Sequence, residues 1–163
     1  SGSAVNLETR VFLDTSVLFA AVWSESGGSR LILKLGEAGA VSLWVGPTVL
    51  QEAEAVLERK SPESRPHMAL LLDRAQVQVG PEAEDQAMVL ARSAVDYVPD
   101  AQVLAEALEI GVKYFVSLDR KHLVDNPRME SLPVTVGTPG DFLDWYRQHL
   151  VDGESVQHEI PGG

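Results

Sequence analysis

The chain has no cysteine, which removes disulfides and every thiolate metal site at once. Its four histidines, His67, His122, His149 and His158, stand too far apart in sequence to spell a zinc motif. Any metal is therefore expected to be bound by oxygen. No apolar run approaches the roughly 20 residues of a membrane span, and there is no internal repeat or low-complexity tract. Positive charge is scarce: 13 Lys and Arg stand against 24 Asp and Glu, for a formal net charge of −11. Such a chain repels polyanions unless cations or a local basic patch intervene, so the balance weighs against a broad basic surface for phosphate backbones. Part of the excess is peripheral, because Asp152, Glu154 and Glu159 fall in the last thirteen residues with no Lys or Arg beside them. If several of the remaining acids hold divalent ions, the local sign at that point inverts.

What is present fits one globular domain with a proper core, at 163 residues and 45% hydrophobic. Residues 1–9, beginning Ser1-Gly2-Ser3, read as a tag remnant and lead-in, 10–150 as the domain, and 151–163 as a disordered acidic tail. A soluble cytoplasmic protein with no membrane association is expected.

The organising stretch is Val11-Phe12-Leu13-Asp14-Thr15-Ser16. Its short unbroken apolar run suits a strand buried on both faces of a parallel sheet. Asp14 then stands at the carboxyl edge of that sheet, where open α/β folds put their ligands. Thr15 and Ser16 can cap the following helix and hold Asp14 in one rotamer. A plain strand-to-helix turn with a capping Asp is the competing reading of this stretch.

A second strand, Val41 to Val45, leads through Gly46-Pro47-Thr48 into a helix reaching about Arg59, with Val49, Leu50, Ala53, Val56 and Leu57 facing the core. Glu52 and Glu54 flank that stripe equally in angle. Glu52 lies ~3 Å nearer the carboxyl edge, at 1.5 Å rise per residue, and so is the better placed of the two. His67 to Arg74 reads as a short helix and Gln76 to Val79 as a modest strand. Pro81 to Val95 reads as a helix with Glu82, Glu84 and Asp85 at its start, where the macrodipole favours acids.

In the segment from Asp96 to Gly111, Pro99 biases Val98 away from helix, Asp100 is placed to cap the start and Gly111 to end it. Lys113 to Ser117 is another buried strand, followed by Leu118 and Asp119, so a second carboxylate occupies the position Asp14 holds in the first unit. Pro133 to Val136 is a short strand, and Thr138-Pro139-Gly140-Asp141 opens a last helix.

Taken together, Val-Phe-Leu-Asp-Thr-Ser-Val-Leu from Val11, Val-Leu-Gln-Glu-Ala-Glu-Ala-Val-Leu from Val49, Pro-Asp-Ala-Gln-Val-Leu-Ala-Glu-Ala from Pro99 and Tyr-Phe-Val-Ser-Leu-Asp-Arg-Lys-His-Leu from Tyr114 resemble the PIN-domain family. The resemblance covers roughly Arg10 to Leu150. It implies a three-layer α/β/α sandwich around a central parallel sheet. It carries the family's acidic catalytic and metal-binding positions onto Asp14, Glu52, Asp100 and Asp119, with Ser16 and Ser117 where supporting hydroxyl or amide residues often stand. It also implies divalent-metal-dependent cleavage of RNA, usually by the toxin of a toxin–antitoxin pair, hence an RNA substrate, an antitoxin partner and a homodimer.

The chemistry is consistent with that implication. Phosphodiester hydrolysis without a side-chain base needs a metal to activate water and neutralise charge, and Mg2+ or Mn2+ takes carboxylate oxygens. A haloacid-dehalogenase-like phosphotransfer site would want an acid where Ser16 stands, and a receiver domain would want an acidic pair before the first strand ends. Neither pattern is met. A non-catalytic interaction module on the same fold is the remaining alternative.

Overall fold

The computed structural model describes residues 5, 6 and 8–162, with side chains through Leu150. Among these residues five strands form one parallel sheet: β1 (Arg10–Leu13), β2 (Ser42–Val45), β3 (Gln78–Val79), β4 (Tyr114–Val116) and β5 (Thr135–Gly137), in the order β3-β2-β1-β4-β5. The chain starts at the central strand, steps outward to β2 and β3, then crosses back to build β4 and β5 on the other side. Strand order therefore reverses between β1 and β4, which pair with Val11 opposite Tyr114, Phe12 opposite Phe115 and Leu13 opposite Val116. A crevice opens at the carboxyl ends of such a pair.

The central strands are apolar throughout because both faces are covered. Val11, Phe12, Leu13, Phe115 and Val116 are wholly buried, and Phe12 stacks on Phe115 with ring centroids 5.1 Å apart. Among the described residues seven α-helices flank the sheet to give the three-layer α/β/α sandwich: α1 (Thr15–Trp23), α2 (Gly28–Glu37), α3 (Pro47–Lys60), α4 (Arg65–Arg74), α5 (Asp85–Ala94), α6 (Val98–Ile110) and α7 (Pro139–Gly162). A single turn of 3-10 helix at Pro62–Ser64 leads into α4. On α3, Val49, Ala53 and Leu57 carry the burial, while Leu50 and Val56 sit at its margin.

Three local readings are corrected. Asp14 itself caps α1, accepting from the Thr15 amide at 2.9 Å, and Thr15 and Ser16 lie inside the helix. α5 begins only at Asp85 with Glu84 as its N-cap, so Glu84 and Asp85 complement its dipole while Glu82 and the chain from Pro81 precede the helix. α6 begins at Val98 with Tyr97 as its N-cap, which puts Pro99 inside the first turn and relieves Asp100 of any capping role. A proline there is tolerated, since its missing N–H belongs to an orphan position in any helix. Gly111 closes α6 in the left-handed conformation, at φ 75°. The expectation of a lead-in falls partly on residues 1–4 and 7, which lie outside the described residues; the backbone of the tail expected from residue 151 belongs to α7 as far as Gly162, and its side chains lie outside what is described.

Candidate metal and active site

Asp14 emerges from β1 beside the end of β4, and its backbone amide continues the ladder by donating to the Val116 carbonyl at 3.0 Å. Its two carboxylate oxygens are engaged separately. One accepts from the Thr15 amide, and the other from the Ser117 hydroxyl at 2.7 Å. That hydroxyl, wholly buried, also accepts from the Asp119 amide at 3.0 Å. Ser117 thus ties together the two acids that end the neighbouring strands. Ser16 acts one step away, its oxygen accepting from the Leu118 amide at 3.2 Å and so pinning the same β4 exit.

Asp100 approaches from the first turn of α6. Burial is the main cause of a raised pKa at this carboxyl; the charge of Asp119 adds to it, and His122 opposes it. Asp14 is raised for the same first reason, burial, with Asp100 and Glu52 adding while the Ser117 and Thr15 hydrogen bonds pull the other way. The repulsive contributions place these acids close enough to feel one another's charge.

Glu52 projects from the exposed side of α3, with the Thr15 hydroxyl 3.4 Å from Oε2. Glu54, two residues on, lines a separate 610 Å³ cavity with Pro62, Arg65 and Asp73. The structure thus groups Asp14, Asp100, Asp119, Ser117 and Ser16 closely, and reaches Glu52 through Thr15 and its charge on Asp14.

Two residues escape the sequence reading. The first is His122. Asp119 caps a five-residue π-helical turn, Arg120–Val124, by accepting from the His122 amide at 3.0 Å, and this turn swings the imidazole back so that Nδ1 lies 3.1 and 3.2 Å from the two Asp119 oxygens. Asp100, Asp119 and His122 each offer one ligand atom, and the three atoms lie within 4.8 Å of one another. Donors at an oxygen-only site were expected; a nitrogen stands among them. The signal available in the sequence was local, the spacing Asp119-x-x-His122, rather than a spacing among histidines.

The second is Glu106, in the middle of α6 and 1% exposed. Its carboxyl accepts from the Thr48 amide at 2.9 Å and the Thr48 hydroxyl at 2.5 Å. Thr48 lies in the first turn of α3, whose N-cap, Gly46, has no side chain to offer. Glu106 therefore caps α3 from another helix, and it comes so close that a Cβ on Gly46 would lie 2.2 Å from its oxygen. The contact joins α3, which carries Glu52, to α6, which carries Asp100.

The donor set suits a hard divalent cation: carboxylate oxygens from the sheet edge and α6, partly exposed at Asp100 and Asp119, and one exposed imidazole beside them. Next to it a 500 Å³ cavity is lined by Leu118, Arg120, Gly27, Gly28, Thr138 and Gly140, among others.

A family model described as "PIN domain" matches residues 10–121. Among solved structures, the fold is similar to that of VapBC2 from Rickettsia felis bound to a DNA fragment from their promoter, at a TM-score of 0.61 and 11% identity over 80% of this chain and 98% of that one. VapC20 from Mycobacterium tuberculosis, a sarcin-ricin loop cleaving toxin, overlays at 0.48 and 17% identity over 69% of this chain and 92% of that one, too loosely to carry an argument. At these identities the first likeness is one of fold. No curated protein sequence matches.

Proposed function

The chain belongs to the PIN-domain family, and from that premise we propose that it is a divalent-metal-dependent endoribonuclease, the toxin of a toxin–antitoxin pair. The observation that carries the reading is the coupling of Asp14, Asp100 and Asp119 at the carboxyl edge of β1 and β4, with the buried Ser117 hydroxyl joining Asp14 to the Asp119 backbone. Asp14, Asp100 and Asp119, with Glu52 at the rim, are the residues that would hold Mg2+ or Mn2+. Such an ion supplies Lewis-acid activation of water and neutralises charge on the phosphate.

The chain's own groups do the rest. Ser117 fixes the Asp14 rotamer and the Asp119 backbone together, so the two strand ends present their oxygens in one arrangement. Ser16 holds the β4 exit in register with α1. Glu106 seats the start of α3 against α6, which holds Glu52 and Asp100 on a common frame. Because the chain is acidic overall, phosphate approach depends on the cation and on local groups such as Arg120.

An antitoxin partner, a homodimer and a cytoplasmic setting belong to the same reading. The fold likeness to a protein crystallised as a VapBC2 complex supports the first. Among the described residues no helix is long and apolar enough to cross a membrane. The test is cleavage of single-stranded RNA by the full chain with Mg2+ or Mn2+, repeated with EDTA and with Asp14→Asn. Metal-dependent cleavage that the variant abolishes is expected. A chain that is inert with both ions at saturating concentration is instead a PIN-fold binding module.

A further inference from the structure

We propose that His122 is a nitrogen ligand of the bound cation, and that it biases the site away from Mg2+ toward Mn2+ and the later divalent metals. This rests on the reading of the acids as a metal site and adds to it a donor and a selectivity. The geometry comes first. Two ligands of one ion, at bond lengths of about 2.0–2.2 Å, lie ~3 Å apart when adjacent and no more than ~4.4 Å apart when opposite. His122 Nδ1 stands 3.1 and 3.2 Å from the Asp119 oxygens, the separation of adjacent ligands. The full set with Asp100 lies within 4.8 Å, so closure onto one ion needs a contraction of a few tenths of an ångström with the most distant pair opposite, and a side-chain rotation with them adjacent. The position also leaves the ring room to move: His122 is half exposed, on a short π-helical turn at the edge of a 320 Å³ cavity, and among the described residues its ring nitrogens hydrogen-bond only to Asp119.

The second step is donor chemistry. Mg2+ demands oxygen and keeps its waters, whereas imidazole suits the transition metals, whose affinity for nitrogen sites rises from Mn2+ along the first row. A site of carboxylates alone discriminates weakly between Mg2+ and Mn2+. One imidazole added at the rim is where a preference can arise. The competing role for His122 is to donate Nδ1–H to Asp119 and orient it, as partners behind a ligating carboxylate do. The two roles predict different ratios. A ligand lost should lower Mn2+ affinity far more than Mg2+ affinity; an orienting hydrogen bond lost should lower both alike.

The experiment is calorimetric titration of the metal-free full chain with MnCl2 and with MgCl2, for wild type and His122→Gln, with pulsed EPR of the Mn2+-loaded forms. Circular dichroism checks that the variant folds; the ring is half exposed. The expected result is a fall of at least tenfold in the ratio of Mn2+ to Mg2+ affinity, and a 14N coupling to Mn2+ that is present in wild type and absent in the variant. Equal losses for the two ions, or wild-type Mn2+ without nitrogen coupling, would overturn the proposal, as would a wild-type chain that binds neither ion. None of these readouts requires RNA. A chain that binds Mn2+ through His122 yet leaves RNA intact would sink the nuclease reading and leave this inference standing.

Discussion

Replacing Ser117 with Ala removes one oxygen and two hydrogen bonds from the centre of the candidate site. The bond to Asp14, at 2.7 Å, is to a carboxylate, a class worth about 1.5–3 kcal/mol. The bond from the Asp119 amide, at 3.0 Å, matters less, because Asp119 is partly exposed and water can replace the lost acceptor. The variant should therefore lose about 1.5–3 kcal/mol when Asp14 is ionised, a drop of ~2–4 °C in melting temperature for each kcal/mol in a chain of this size. The loss depends on pH in a defined direction. Burial, Asp100 and Glu52 already raise the Asp14 pKa, while the Ser117 bond lowers it, so Ser117→Ala raises it further. Between the ordinary value near 3.8 and the raised folded value, the native state binds more protons than the unfolded one, and stability falls as pH rises. The gap between variant and wild type should thus be small near pH 4 and widen toward pH 8. Mn2+ affinity at neutral pH should fall about 10–100-fold, the usual effect of losing a group that orients a ligand. Thermal melts without metal at several pH values, with calorimetry at pH 7.5, measure both. Equal melting temperatures across the range, or an unchanged Mn2+ affinity, would refute the placing of Ser117 at the hub.

Asp100→Asn should remove repulsion with Asp119 without disturbing a cap, so the metal-free variant should melt higher than wild type at pH 8 and about equally near pH 4, while its response to Mn2+ is lost. A variant still stabilised by Mn2+ as wild type is would take Asp100 out of the site. Glu52→Gln should abolish metal-dependent RNA cleavage and Glu54→Gln should leave it nearly intact, since Glu54 lines another cavity; the reverse order of activities would reassign the ligand. Gly46→Ala should destabilise the fold by about 1–3 kcal/mol in urea titration, the usual penalty for overpacking, because the new Cβ meets the Glu106 carboxyl at 2.2 Å. A neutral outcome would mean that Glu106 can withdraw without consequence.

The elements legible in the sequence were those whose signal is local. Val11 to Leu13 and Tyr114 to Val116 are apolar on both faces because both faces are covered, and the acids after them mark the sheet edge by repetition. The start of α6 differs from its sequence reading because Pro99 carries two contradictory signals, a stop for the residue before it and a permitted first-turn residue, and the chain takes the second. Glu106 was illegible for a different reason. An acid mid-helix usually points to solvent, and what buries this one is a missing side chain at Gly46 and a hydroxyl at Thr48, 58 residues away. His122 was hidden by comparison with distant histidines when its partner stood three residues upstream. Ser117 could be placed beside the acids, but not its double hydrogen bond, which exists only once β1 and β4 are paired.

The Ser117 to Asp14 bond spans 103 residues of chain, and this separation sets an order of events during synthesis. A nascent chain carries Asp14 and Glu52 well before β4 leaves the ribosome, yet the hub and the last acid arrive together at its end. Until then Asp14 lacks the hydroxyl that orients it, and both early carboxylates lack the acid that completes the cluster. Fragments ending before residue 117 should be inert, and a prematurely terminated message would yield no partly active product. For the nuclease proposed above, the site is complete only once synthesis has passed Asp119, so shorter chains at the ribosome carry no assembled site.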